Sequence, residues 1–329
     1  RDYYASRGLG DVYKRQNFGL ALFDIVNHLG QKWRKLDYYA NFVYVGKLNV
    51  PVEFEYVFKD ADRIINYCYS KNNIGQLLTE KLSVDNILVF ERTARTFNID
   101  TNEFPMENTT KRNLKDNANN VSIINFLLTS YPLAKNHYLL TVLQFVDSML
   151  WFRCLDTREF IGLDLAPTNL DEYIIQNNLV KDFSEFLHQV SDQKYQFANP
   201  RPNDKLLVCK IGGRDVIFDK IISTGTNALM LLYFWIQKMR SASFVFIDEF
   251  DAFYHFKLAF EVCKRLFALD CQVFTSSHNT YLMTNDLLRP DCNFIVNNNK
   301  IKPLSACTQK ELRFGHNIEK LFRGNAFQL

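Results

Sequence analysis

Ser243-Phe-Val-Phe-Ile-Asp-Glu-Phe-Asp-Ala-Phe-Tyr-His255 is the stretch on which the reading of this chain turns. Phe244 to Ile247 is a β-favouring apolar run that stops abruptly at Asp248-Glu249. A short unbroken apolar run predicts a strand buried on both faces, as in a parallel sheet. Ligands of such sheets bind beyond the carboxyl ends of the strands, where these two acids lie. Adjacent carboxylates there suit a magnesium-dependent phosphate site, with Asp248 anchoring the hydrated metal and Glu249 activating a water. The same pair also suits the acidic first turn of a following helix.

The flanking segments extend the pattern. His255 to Leu269 carries Phe256, Phe260, Cys263 and Phe267 at helical spacing, which predicts an amphipathic crossover helix. Gln272-Val-Phe-Thr-Ser-Ser-His-Asn279 reads as the next strand, again ending in polar groups, and Asn293 to Val296 as one more. Strand–helix–strand units of this length predict a parallel sheet. On the N-terminal side, Ser223-Thr-Gly-Thr226 opens an apolar helix that runs through Gln237. Gly212-Gly213-Arg214, between two apolar runs, predicts a hairpin.

Further upstream, Phe18, Leu22, Ile25 and Leu29 predict a helix that ends at Gly30. Strands are expected at Phe42–Val45, Val52–Phe58 and Asn86–Arg92, and a polar surface loop at residues 98–118. Long apolar periods between 119 and 198 predict a helical insertion, with Asn199-Pro-Arg-Pro-Asn203 as the linker out of it. The domain scheme is therefore 1–16 outside the fold, 17–118, 119–198 and 199–329.

At 329 residues and 47% hydrophobic content the chain can bury a full core. Its net charge of +3 does not by itself point to nucleic acid. The seven cysteines lack C-x-x-C spacing and read as reduced thiols of a cytoplasmic protein. The longest apolar run, Ala228–Ile236, is half a membrane span, so no membrane is expected.

Three polar groups occur in a fixed order: Ser223-Thr-Gly-Thr226, Asp248-Glu249 and Ser277-His278. In that order and spacing they resemble the C-terminal lobe of ABC-type ATPase heads, a group that includes SMC proteins and the OLD family. The match is strongest to bacterial AAA-family ATPases with an ABC-like core. The resemblance implies an α/β P-loop NTPase-like fold with a mostly parallel sheet, an antiparallel β lobe and a helical insertion. It also implies ATP and Mg²⁺ as cofactors and a homodimer that sandwiches ATP. By the resemblance Ser223, Thr224, Gly225 and Thr226 form the signature motif, which touches nucleotide held by the other protomer. Asp248 matches the metal-anchoring acid, Glu249 the catalytic glutamate, Asp251 the D-loop at the dimer seam, and His278 the switch histidine that senses the γ-phosphate.

One departure stands out. The family holds phosphates on a Gly-x-x-x-x-Gly-Lys-Ser/Thr loop, and this sequence contains none. The segment from Asn17 to Ile25 resembles the helix that follows that loop, whereas Asp11-Val-Tyr-Lys-Arg-Gln16 resembles a translated transposase adapter used in sequencing libraries. The reading is therefore of an ATPase whose phosphate loop belongs before Asn17, so that the sequence as written is catalytically incomplete. Nucleotide-driven dimerisation would act on nucleic acid or a partner effector protein; related ATPases often serve in phage defence. The competing reading is a non-catalytic interaction protein on an ABC-like scaffold. A nuclease of OLD type is disfavoured, because the chain after His278 offers basic segments such as Lys300-Ile-Lys302 in place of an acidic metal site.

Overall fold

The apolar face formed by Phe23, Ile25, Val26 and Leu29 is buried, and residues 18–30 form the expected helix, α1. The computed structural model describes residues 18–30, 49–116, 121–153, 160–162, 169–201, 203–251, 254–297 and 300–327. These fall into two units, one running to Met149 and the other from Leu150 onward. The expected strand at Phe42–Val45 lies outside the described residues.

In the first unit an antiparallel meander follows α1: β1 (Val52–Asp60), β2 (Arg63–Lys71), β3 (Leu77–Val84), β4 (Ile87–Arg92) and β5 (Phe97–Ile99). β1 exposes Glu53 and Glu55 and buries Phe54 between them, as its alternation predicts. The Asp85-Asn86 turn joins β3 to β4 with both residues left-handed (φ 50° and 65°), the twist that a two-residue hairpin requires.

A buried polar seam ties α1 to this sheet. Lys71 Nζ lies 2.7 Å from Asp24 Oδ2, and the Tyr69 hydroxyl donates to the same oxygen at 2.6 Å. His28 stacks on Tyr69 and hydrogen-bonds Tyr67, whose hydroxyl donates to Glu80 at 2.8 Å. Burial, with the Lys71 and Arg92 charges, holds the His28 imidazole well below the usual histidine range. Glu80 also pairs with Arg92 at 2.8 Å, and neither side chain is exposed. Three helices complete the unit: α2 (Asn108–Asp116), α3 (Ile123–Ser130) and α4 (Tyr138–Asp147). The expected loop at 98–118 thus contains a helix. α2 buries only Leu114, so it shows no apolar period by which to be recognised.

The second unit begins with β6 (Met149–Arg153) and β7 (Phe160–Gly162), followed by α5 (Leu170–Gln176) and α6 (Val180–Ser191). Residues 119–198 are therefore not one helical insertion. α3 and α4 belong to the first unit, while β6, β7, α5 and α6 belong to the second. Met149 to Phe152 is a buried apolar run, and such a run alone does not separate strand from helix. Nor is 199–203 a linker between domains. The backbone just before it pairs with the hairpin strand ahead, through the Phe197–Cys209 bridge and the Ala198 N–H to Val208 carbonyl bond of 2.8 Å.

The hairpin β8 (Val208–Ile211) and β9 (Arg214–Ile217) turns on Gly212-Gly213 at φ 56° and 78°. α7 (Thr224–Met239) then leads to β10 (Phe244–Asp248), α8 (Phe256–Leu266) and β11 (Gln272–Thr275). Every residue of β10 is buried, and it pairs in parallel with β11, Phe244 opposite Gln272 through Ile247 opposite Thr275. α8 covers the core with Leu258, Ala259, Val262, Cys263 and Leu266. Its buried face is rotated from the one expected, and Phe256 is 62% exposed, meeting the ring of Tyr281 at 4.8 Å.

The sheet runs β11-β10-β6-β7. β12 (Phe294–Asn297) pairs antiparallel with β13 (Lys300–Pro303) as a separate hairpin, and α9 (Ile318–Arg323) caps a small cluster with Leu304, Cys307 and Phe327. The fold is mixed α/β, but the expected mostly parallel sheet is corrected: antiparallel pairing dominates among the described residues. The β1–β2, β3–β4 and β8–β9 pairs are each joined by a two-residue turn, whereas the parallel β10–β11 pair spends a whole helix on its crossover. No helix among the described residues is long and apolar enough to cross a membrane.

Candidate functional site at the end of the buried strand

β10 delivers Asp248 at its last position, 5% exposed, and Glu249 just beyond it, 6% exposed. Glu249 adopts φ 50°, a left-handed conformation uncommon for a non-glycine residue, and its surroundings hold it there. Those surroundings come from the end of β11. Ser276 N–H donates to the Ile247 carbonyl at 2.9 Å, and Phe250 N–H returns to the Ser276 carbonyl at 3.3 Å. The Ser276 hydroxyl donates to Asp248 Oδ1 and accepts the Glu249 N–H at 2.8 Å.

The next residue repeats the device. The Ser277 hydroxyl donates to Asp251 Oδ2 at 2.6 Å and accepts the Asn279 N–H at 2.8 Å. His278 Nε2 lies 3.8 Å from Glu249 Oε1, with a half-exposed ring against a buried carboxylate. Thus Asp248, Glu249 and His278 converge at one strand end, and Asp251 joins them through Ser277. Burial and the Asp251 charge push the thiol of Cys263, on α8 nearby, up to about 12, so it is held protonated at neutral pH.

The Ser223–Thr226 turn has its own partners. Ser223 caps α7 by accepting the Thr226 N–H at 3.1 Å, and Thr226, 1% exposed, is hydrogen-bonded to Gln193. Ser223 and Thr224 are exposed and Gly225 half-buried, so the part of the turn open to a ligand is its first three residues. Thr224 also lines an apolar cavity with Ile247, Phe250 and Tyr254.

A divalent cation that binds through phosphate oxygens and water needs only one or two protein carboxylates. Asp248 fits that demand: Ser276 fixes Oδ1 and thereby orients Oδ2. No cluster of three or more His, Cys, Asp or Glu suited to a protein-only metal cage occurs among the described residues. Asp248, Glu249 and His278 stand out in the sequence by residue type and place, whereas Ser276 does not. Its signal was its place two residues before His278, at the end of a strand paired with β10.

No family model and no curated protein matches the sequence. Among solved structures the chain is similar to the SMC head domain from Thermotoga maritima, with 12% identity over 77% of this chain and 73% of that one. The TM-score is 0.33, and a likeness of that degree carries no argument about function.

Proposed function

We propose that this chain carries the metal-anchoring and water-activating groups of a Mg²⁺-dependent ATPase of ABC type, which works as a homodimer around sandwiched ATP. The observation that carries the reading is the acid pair itself: Glu249 is held in a left-handed turn at the end of a buried strand, within 3.8 Å of His278. A general base must be positioned before it can act, and the Ser276 contacts hold the Glu249 backbone in place. Bound Mg²⁺ would neutralise charge on the β- and γ-phosphates. Asp248 would hold the hydrated ion, Glu249 would take the proton of the attacking water, and His278 would donate to the γ-phosphate. Ser223, Thr224 and Gly225 would meet nucleotide on the second protomer. Nucleic acid or an effector protein, in a role such as phage defence, would be what the dimer acts on.

The test is ATP hydrolysis by a version of this chain to which a Gly-x-x-x-x-Gly-Lys-Ser loop has been added before Asn17. Glu249→Gln keeps ATP and Mg²⁺ binding and lowers kcat by about 100-fold or more, because the amide preserves shape but takes no proton. Turnover at the wild-type rate would return the acid pair to a helix-capping role. The non-catalytic scaffold would then be the better reading.

A further inference from the structure

Ser276 grips the acid turn at four points. Its main chain bonds Ile247 and Phe250 on either side of the two acids, and its hydroxyl bonds the Asp248 carboxylate and the Glu249 N–H. A hydroxyl carries one donor and two acceptor lone pairs, so a single Oγ serves a carboxylate and an N–H together. Alanine can serve neither. The bond to the Glu249 N–H holds the 248–249 peptide plane, and relative to that plane the φ of 50° sets where the Glu249 side chain leaves the backbone.

We propose that Ser276 is the positioning residue of this site, locking the turn so that the Glu249 carboxylate faces His278. The proposal rests on reading Glu249 as the water-activating group. In this role Ser276 acts through Asp248 and Glu249, the two residues its hydroxyl bonds. Its neighbour Ser277 has a separate task, holding Asp251 and the Asn279 N–H.

The experiment is a double-mutant cycle on this chain, read on the His278 ring signal in protein labelled with carbon-13 histidine and assigned by His278→Gln. Glu249→Gln moves the signal. Ser276→Ala moves it in the same direction, at least half as far, and adds nothing when Glu249→Gln is already present. Ser276→Thr, which keeps the hydroxyl, leaves it in place. Non-additivity is what coupling through Glu249 requires; a serine with only a local structural role would shift the signal equally in both backgrounds. Equal shifts, no shift with Ser276→Ala, or no shift with Glu249→Gln would each overturn the proposal. Should Ser276→Ala fail to fold, Ser276→Cys completes the same cycle with a far weaker hydrogen-bonding group. In the hydrolysing protein Ser276→Ala lowers kcat about tenfold with KM for ATP within about twofold, and Ser276→Thr restores it. If no variant or wild type hydrolyses ATP while the cycle is non-additive, the ATPase reading fails and the positioning role stands.

Discussion

Glu249 concentrates the physical problem of this molecule in one residue. Its backbone sits at φ 50°, and its carboxyl is buried beside Asp248. A left-handed non-glycine conformation costs about 1 kcal/mol or more, and a buried carboxylate must be held by partners. Two variants separate the backbone from the side chain. Glu249→Gly and Glu249→Ala both delete the carboxylate, but only glycine reaches this φ without strain. Glu249→Gly should therefore be more stable than Glu249→Ala by about 1 kcal/mol in urea unfolding, a reversal of the usual order in regular structure. Equal stabilities would mean that the turn is not left-handed in solution.

At the scale of elements, the first unit is held by charge inside its core as well as by apolar packing. Glu80 on β3 accepts from Arg92, from the Tyr67 and Ser122 hydroxyls, and from the N–H groups of Ile123 and Ile124. One side chain thus neutralises a buried guanidinium and satisfies the first turn of α3, whose own cap is Ser122. Glu80→Ala leaves Arg92 buried without its counter-charge and should destabilise the protein by about 3–5 kcal/mol. The Lys81–Glu91 pair on the same strands is 3.5 Å apart and largely exposed, so Glu91→Ala should cost less than about 1 kcal/mol. Urea unfolding of the two variants checks the contrast; similar losses would mean that Arg92 finds other compensation through the Leu114 and Val121 carbonyls.

At the scale of the whole molecule, the ATPase reading requires a second copy. The Ser223–Gly225 turn presents exposed backbone at the start of a 16-residue helix, whereas the acids lie at the end of β10. In the version of this chain with the added phosphate loop, Gly225→Glu places a carboxylate where, on the proposed reading, the partner's γ-phosphate would approach. Monomers should still bind ATP with affinity within about threefold of wild type, but sedimentation should show no ATP-dependent dimer, since like charge at a closing interface is repulsive. A normal dimer with this variant would remove the turn from the interface.

How much of this was legible in the sequence can be judged from particular segments. β10 was legible because five consecutive apolar or terminal-acid residues have few folded uses, and α1 because its apolar spacing is periodic. The Gly212-Gly213 hairpin was legible because only glycine takes both positive φ values freely. The polar strand-end residues were legible as types, since carboxylates and a histidine beyond a buried strand have a restricted chemistry. β2 and β3 went unnoticed because their inward positions hold Lys71, Tyr69 and Glu80, which read as polar surface until Asp24 and Arg92 are brought to them. The Ser276 contacts were invisible for the same reason: Asp248 and Ser276 stand 28 residues apart. Local spacing is written in the chain, and it determined periodic elements such as α1 and β10 and the residue types of the candidate site. Which buried charges are neutralised, and which hydroxyl sets the direction of Glu249, depend on contacts across strands that only the tertiary structure makes.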